Sequence, residues 1–391
     1  MTTSDPSRLL DPKAHADGEA EETWRWMRTH EPVAFHDEST FPPFWSLTRY
    51  DDVRDAYSRP DIFSSEGGVL LRPRELGDDP GGGLTLALID PPRHRDIRAL
   101  LAPRFSEGCA RSLADEMRAD VRRVLSQAAE VDEVDFAHDV AARLSSLLIA
   151  RLIGVPEVDF DRVTTWVEEA FAAAQPITSH MTLVQYLIEL MYDRMEEPRQ
   201  DAMSLLVDGE IDGKLFDETE IILNCENLVG ASENAGLSIA AGIAAFLEHP
   251  NQWRALAADR GLLPTAVEEI LRWASSATHS MRTATRDIEV GNRTITAGER
   301  VVLWVRSANR DESAFNVPET FDIARRPNRH LALGAGEHIC IGQTMARHQL
   351  RILLDELLCA DAVLEAAGPA VPLASIAVNG PARLPVRVRL R

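Results

Sequence analysis

The chain has 391 residues, 45% of them hydrophobic, so it can bury a large core and a disordered chain is excluded. With 62 acidic residues against 41 basic ones, the formal net charge is −21. A field of that sign excludes nucleic acid and anionic membrane surfaces as general partners.

In chain order, the opening MTTSDPSRLLDPKAHADG is polar, broken by proline and without an apolar signal core. No run of 18 or more apolar residues follows, so a cytoplasmic protein without a membrane anchor is expected. Short helices come first, with a strand over FWSLTRY at 44–50. Residues 66–83, rich in Gly, Pro and Arg, read as a long loop of the kind kept for function. Residues 91–273 are almost all helical by pattern. Apolar positions recur at helical spacing through 109–129, 134–153, 159–173, 180–196 and 217–248, punctuated by Pro156, Pro198, Pro250 and Pro264. The 217–248 stretch is expected to be one helix of about 45 Å, long enough to cross the molecule. After residue 281, RDIEVGNRTITAGERVVLWV alternates with period two and reads as hairpins. Residues 307–335 are irregular, 343–359 return to a helix, and the tail RLPVRVRL is a strand. The expected fold class is mainly α with a small β region, in a single domain over residues 1–391.

The four cysteines are Cys109, Cys225, Cys340 and Cys359. They form no CxxC pair and no His/Cys cluster, so neither a zinc site nor a disulfide framework is expected. Cys340 stands apart. In LGAGEHICIGQTMAR (333–347) it is surrounded by Gly334, Gly336 and Gly342, which let backbone turn sharply and approach a flat ligand. A helix starts just after it, and a helix N-terminus favours a thiolate. A thiolate so placed is a good iron ligand. By itself the motif also fits a buried structural cysteine beside a turn.

The segment resembles the haem-binding loop of the cytochrome P450 family, F-G-x-G-x-H/R-x-C-x-G. Gly334, Gly336, His338, Cys340 and Gly342 match, while Leu333 replaces the opening Phe. EEILRW resembles the family's E-x-x-R pair, Glu269 and Arg272, with Arg325 at the position of the third member. DPPRHRDIR resembles its H-x-x-x-R helix, giving His94 and Arg98, and RTATRD gives Arg282. The resemblance runs from FWSLTRYDDV to the end and is to the soluble bacterial type. The scarcity of lysine, only Lys13 and Lys214, also suits a GC-rich bacterial genome.

The resemblance implies a triangular helical prism with a long central helix over a haem. It implies haem b as cofactor, with Cys340 as the metal ligand and His94, Arg98, Arg282 and His338 on the two propionates. The implied activity is oxidation of a small-to-medium organic substrate with O2, in bacterial natural-product biosynthesis. The chain has no flavin or nicotinamide domain, so electrons from NAD(P)H are expected through a ferredoxin and its reductase, with the protein a monomer. Arg93, Arg95, Arg104, Arg347 and Arg351 are candidates for a basic docking patch. On the oxygen side the family carries A-G-x-[DE]-T, and this chain has Glu233 followed by Asn234 in place of Thr. An amide both donates and accepts, so Asn234 can take over part of the alcohol's role in proton delivery. By analogy the substrate pocket is lined from the 66–88 loop, the 160–195 helices, residues 227–235 and 274–281, and the turn near 374–381. Leu228, Ala231, Ala277 and Ile376 are its candidate residues. Two other readings stay open: a peroxide-driven or coupling haem-thiolate enzyme, and a non-catalytic haem-binding or recruitment protein.

Overall fold

The computed structural model describes residues 6–37, 40–77, 79–171 and 177–391. It is mainly helical with small β-sheets, as the hydrophobic periodicity implies. The helices Ala114–Ala129, Arg143–Ile153, Phe160–Phe171, Ile177–Glu196, Leu263–Ala274 and Gln343–Cys359 pack about a central one. Leu263–Ala274 shows why such elements form. Its buried Leu263, Ala266, Val267, Ile270, Leu271 and Ala274 make one continuous stripe, and Pro264 sits in the first turn, where its missing N–H costs nothing. The last two residues of the expected 159–173 helix lie outside the described residues.

The expected 217–248 helix is present but interrupted: Glu218–Gly230 and Ser232–Glu248 meet at Ala231. An Asp217/Glu220 capping box starts it. At the break the Ser232 hydroxyl donates to the Val229 carbonyl at 2.7 Å, a side-chain bond that competes with the helical ladder. The two parts together are apolar enough to cross a membrane by composition, but half of the most apolar stretch is buried within the protein. Gly236 brings the central helix against the turn Phe136–Ala142, where a Cβ would lie 3.2 Å from the Cα of Ala142.

Two strand expectations change. Val134–Asp135, expected to be helical, pairs with Pro385 and Val386 of the C-terminal strand, and Asp135 accepts the Leu384 N–H at 2.8 Å. Of the expected hairpins after 281, Ile288–Val290 with Arg293–Ile295 forms one. Arg300–Leu303 instead joins a five-stranded sheet, antiparallel to Ser280–Ala284 and parallel to Phe44–Leu47. A separate core of Trp24, Met27, Phe44 and Trp304 covers that sheet.

Candidate active site

The loop before Gln343–Cys359 folds back on itself: the Cys340 N–H donates to the Leu333 carbonyl at 2.8 Å. Gly334 and Gly336 hold φ of +70° and +67°, the left-handed region that favours glycine. At Gly336 a Cβ would also lie 2.4 Å from the Tyr57 carbonyl oxygen, so only glycine passes beneath the Tyr50–Ser58 helix. Gly342 has φ −78°, and a Cβ there would sit 3.8 Å from the Cys340 sulfur. Burial pushes the Cys340 thiol up, while the Gly342 N–H on the sulfur and the nearby Arg98 and Arg347 pull it down.

The thiol opens into a cavity of about 290 Å³. Leu228, Ala231, Asn234 and Ala235 of the central helix line the same space, as do Ser276, Ala277, Ser280, Arg282 and His338. Asn234 Oδ1 is buried there without a hydrogen-bond partner. The Ser238 hydroxyl donates to the Asn234 carbonyl at 2.8 Å and lies 3.0 Å from the Ser276 hydroxyl. Glu233, next in sequence, does not line the cavity. Burial pushes its carboxyl up, and it has no hydrogen-bond or ion-pair partner among the described residues. Ile376 also lies off the cavity. It packs against the Trp24/Trp304 core, and its carbonyl is 3.0 Å from His279 Nδ1. No described residue of 66–88 or 160–195 lines the space, which is bounded by the cysteine loop and the helix after it, the central helix, the 276–282 segment and Ser145, Leu148, Ile149 and Leu152 of the Arg143–Ile153 helix.

Arg282 and His338 line one end of the cavity, while His94 and Arg98 are not among its lining residues. His94 and His338 meet with ring centroids 4.0 Å apart and planes tilted by 37°, and Arg282 is buried, with its guanidinium over the Tyr57 ring at 5.4 Å. Burial, then His94, Arg282 and Arg98, lower the His338 pKa to about 3. His94 Nδ1 is buried without a partner, and Arg98 makes no ion pair among the described residues. The carboxylate nearest His338 is Asp90, at 3.9 Å. Two arginines and two histidines therefore meet one carboxylate, a donor set short of anions.

Known proteins resemble the chain over nearly its whole length. Residues 247–360 match the family model for cytochrome P450. The chain is 33% identical to cytochrome P450 NovI of Streptomyces niveus over 389 residues, covering 97% of this chain and 96% of that one. It is 34% identical to a steroid C26-monooxygenase of Mycolicibacterium smegmatis over 400 residues, 99% of this chain and 97% of the relative. Among solved structures, P450 OxyD, involved in the biosynthesis of vancomycin-type antibiotics, superposes with a TM-score of 0.90. There the identity is 29%, over 97% of this chain and 99% of that one. P450BioI, solved with an acyl carrier protein bearing a fatty acyl chain, superposes with a TM-score of 0.83 at 26% identity, over 95% and 99%.

The chain belongs to the cytochrome P450 family. It is a monooxygenase of that family, and the family's cofactor is haem. The residues fit such a group. A tetrapyrrole dianion would supply the carboxylates that Arg98, Arg282, His94 and His338 lack, and Cys340 offers the one thiol on the cavity. Cytochrome P450 sequence also explains the Glu269 cluster away from the cavity. Arg272 makes two bonds of 2.8 Å to the Glu269 carboxylate, Arg325 Nε lies 3.1 Å from it, and Glu269 and Arg272 are fully buried.

The expected basic patch is largely consumed. Arg93 pairs with Glu220, Arg95 with Glu337 and Arg347 with Glu268, while Arg104 bonds the Leu152 and Arg151 carbonyls. Sequence reasoning missed Tyr57, whose hydroxyl donates to Ser280 at 2.8 Å beside Arg282, and it missed the Ser238/Ser276 pair. No motif marks them, because each meets the cavity only through tertiary packing.

Proposed function

We propose that this cytochrome P450 is a ferredoxin-dependent monooxygenase that oxidises a small-to-medium organic molecule in bacterial natural-product biosynthesis. It would act as a monomer in the cytoplasm, over a single domain of residues 1–391. The observation that carries the reading is the Cys340 thiol opening into the cavity that Asn234, Arg282 and His338 also face. Relatives named for antibiotic pathways support the pathway class. Cys340 would ligate the iron of haem b, and His94, Arg98, Arg282 and His338 would hold its acid groups. Bound haem would supply the reductive activation of O2.

The rest falls to the chain. The apolar wall of Leu228, Ala231 and Ala277 holds the substrate and excludes water. Asn234 lines the cavity, and its amide can accept from and donate to a water or a substrate group. Glu233, one residue away, is the proposed acid for proton delivery, and burial pushes its carboxyl up.

The test is a compound screen by spin-state shift, followed by product mass. NAD(P)H with ferredoxin and its reductase would be compared with peroxide alone. Product that requires the ferredoxin chain is expected. Equal turnover with peroxide would favour the peroxide-driven reading, which the Asn234 replacement motivates. Neither shift nor product with any compound would favour a non-catalytic haem protein.

A further inference from the structure

The central helix has a second task upstream of the cavity wall. Asn224, 1% exposed, grips a passing stretch of backbone on both sides. Its Oδ1 accepts from the Leu86 N–H at 2.9 Å, and its Nδ2 donates to the Leu84 carbonyl at 3.0 Å and the Glu220 carbonyl at 2.8 Å. Every one of these bonds fixes the amide the same way round. One turn earlier, Glu220 pairs with Arg93, the first residue of the Arg93–Leu101 helix that carries His94 and Arg98. Glu220 and Asn224 are four residues apart and so share a helix face. Between the two tied points lies Asp90, which accepts the Ser65 N–H at 2.9 Å and approaches His338. The segment from Leu84 to Arg98 therefore hangs from the central helix at two places. Neither Asn224 nor Glu220 lines the cavity.

We propose that Asn224 is a positioning residue for the cofactor cradle. By clamping Leu84 and Leu86 to the central helix, it sets where the Arg93–Leu101 helix presents His94 and Arg98 to the acid groups of haem. The inference rests on the haem reading above. An apolar residue at 224 would leave the Leu86 N–H and the Leu84 carbonyl without partners in a buried site. Their desolvation would not be repaid, so the segment would shift to find other partners.

The measurement is the rate at which the purified, haem-loaded protein gives its haem to excess apomyoglobin. Asn224→Leu should speed transfer about tenfold, the lower end of what losing an outer-shell partner costs. Asn224→Asp keeps the acceptor for Leu86 and loses the donor. It should give a smaller rise, and it serves if Asn224→Leu does not fold. In an Arg98→Ala background, Asn224→Leu should speed transfer by a smaller factor than in the wild type, because one of the two groups through which it acts has gone. A role in general stability would instead make the two effects multiply. Unchanged transfer in both Asn224 variants, or an undiminished effect in the Arg98→Ala background, overturns the proposal. Wild-type protein that takes up no haem would defeat the haem reading instead, so the two failures are distinguishable.

Discussion

Gly336 and Gly342 lie on either side of Cys340, yet the structure asks different things of them. At Gly336 the φ of +67° and the Tyr57 carbonyl both reject a side chain. Gly336→Ala should cost about 1–3 kcal/mol from the backbone alone, read as a lower melting temperature and poorer haem retention. Gly342→Ala, at φ −78° with only ordinary contact to the sulfur, should change stability by less than about 0.5 kcal/mol. Equal losses in the two variants would refute this account of the loop. Asn234 poses a chemical question instead of a steric one. Its side-chain oxygen is unpartnered in the cavity, so Asn234→Thr should change the fraction of electrons ending in product instead of peroxide. An unchanged fraction, measured as product per NAD(P)H, would remove Asn234 from proton delivery.

At the level of elements, the sequence is most legible where a periodic stripe or a motif of fixed spacing carries the information. The Leu263–Ala274 stripe and the Gln343–Cys359 helix fall where periodicity puts them, and Cys340, His338 and Arg282 meet at one cavity. Periodicity fails where a short segment is claimed by distant partners. Val134–Asp135 looks helical until the C-terminal strand pairs with it, and Ile376 sits near the cavity in sequence analogy but is drawn into the Trp24/Trp304 core. Asn224 reads as an ordinary mid-helix amide, because its partners Leu84 and Leu86 lie far away in the chain.

The five-stranded sheet carries its own test. His36 is buried, stacked on Phe44 with ring centroids 4.6 Å apart, and its Nε2 has no partner. Burial lowers its pKa from 6.5 to about 4. In that window the unfolded chain binds a proton that the folded chain refuses, so stability falls as pH drops from 6.5 toward 4. His36→Phe should raise the melting temperature at pH 5 more than at pH 8. The same rise at both would show that His36 titrates normally in the fold.

Over the whole molecule, composition and charge narrowed the class but not the reaction. The net charge of −21 is the excess of acidic over basic residues, while ion pairs absorb most of the arginines expected to dock a redox partner. The buried Glu269, Arg272 and Arg325 cluster ties the Leu263–Ala274 helix to the irregular segment ahead of the cysteine loop. Glu269→Gln should leave two buried guanidinium groups undercompensated and cost about 3–5 kcal/mol, read by thermal or urea unfolding. A loss below about 1 kcal/mol would mark the cluster as dispensable.

The central claim is a bond from the Cys340 sulfur to haem iron, and the absorption spectrum of the reduced, carbon monoxide-treated protein tests it most directly. The strongly red-shifted band of a thiolate-bound porphyrin is expected in the wild type and should vanish in Cys340→Ala. A wild-type spectrum typical of nitrogen-ligated haem, or protein that stays colourless after reconstitution with haemin, would contradict it.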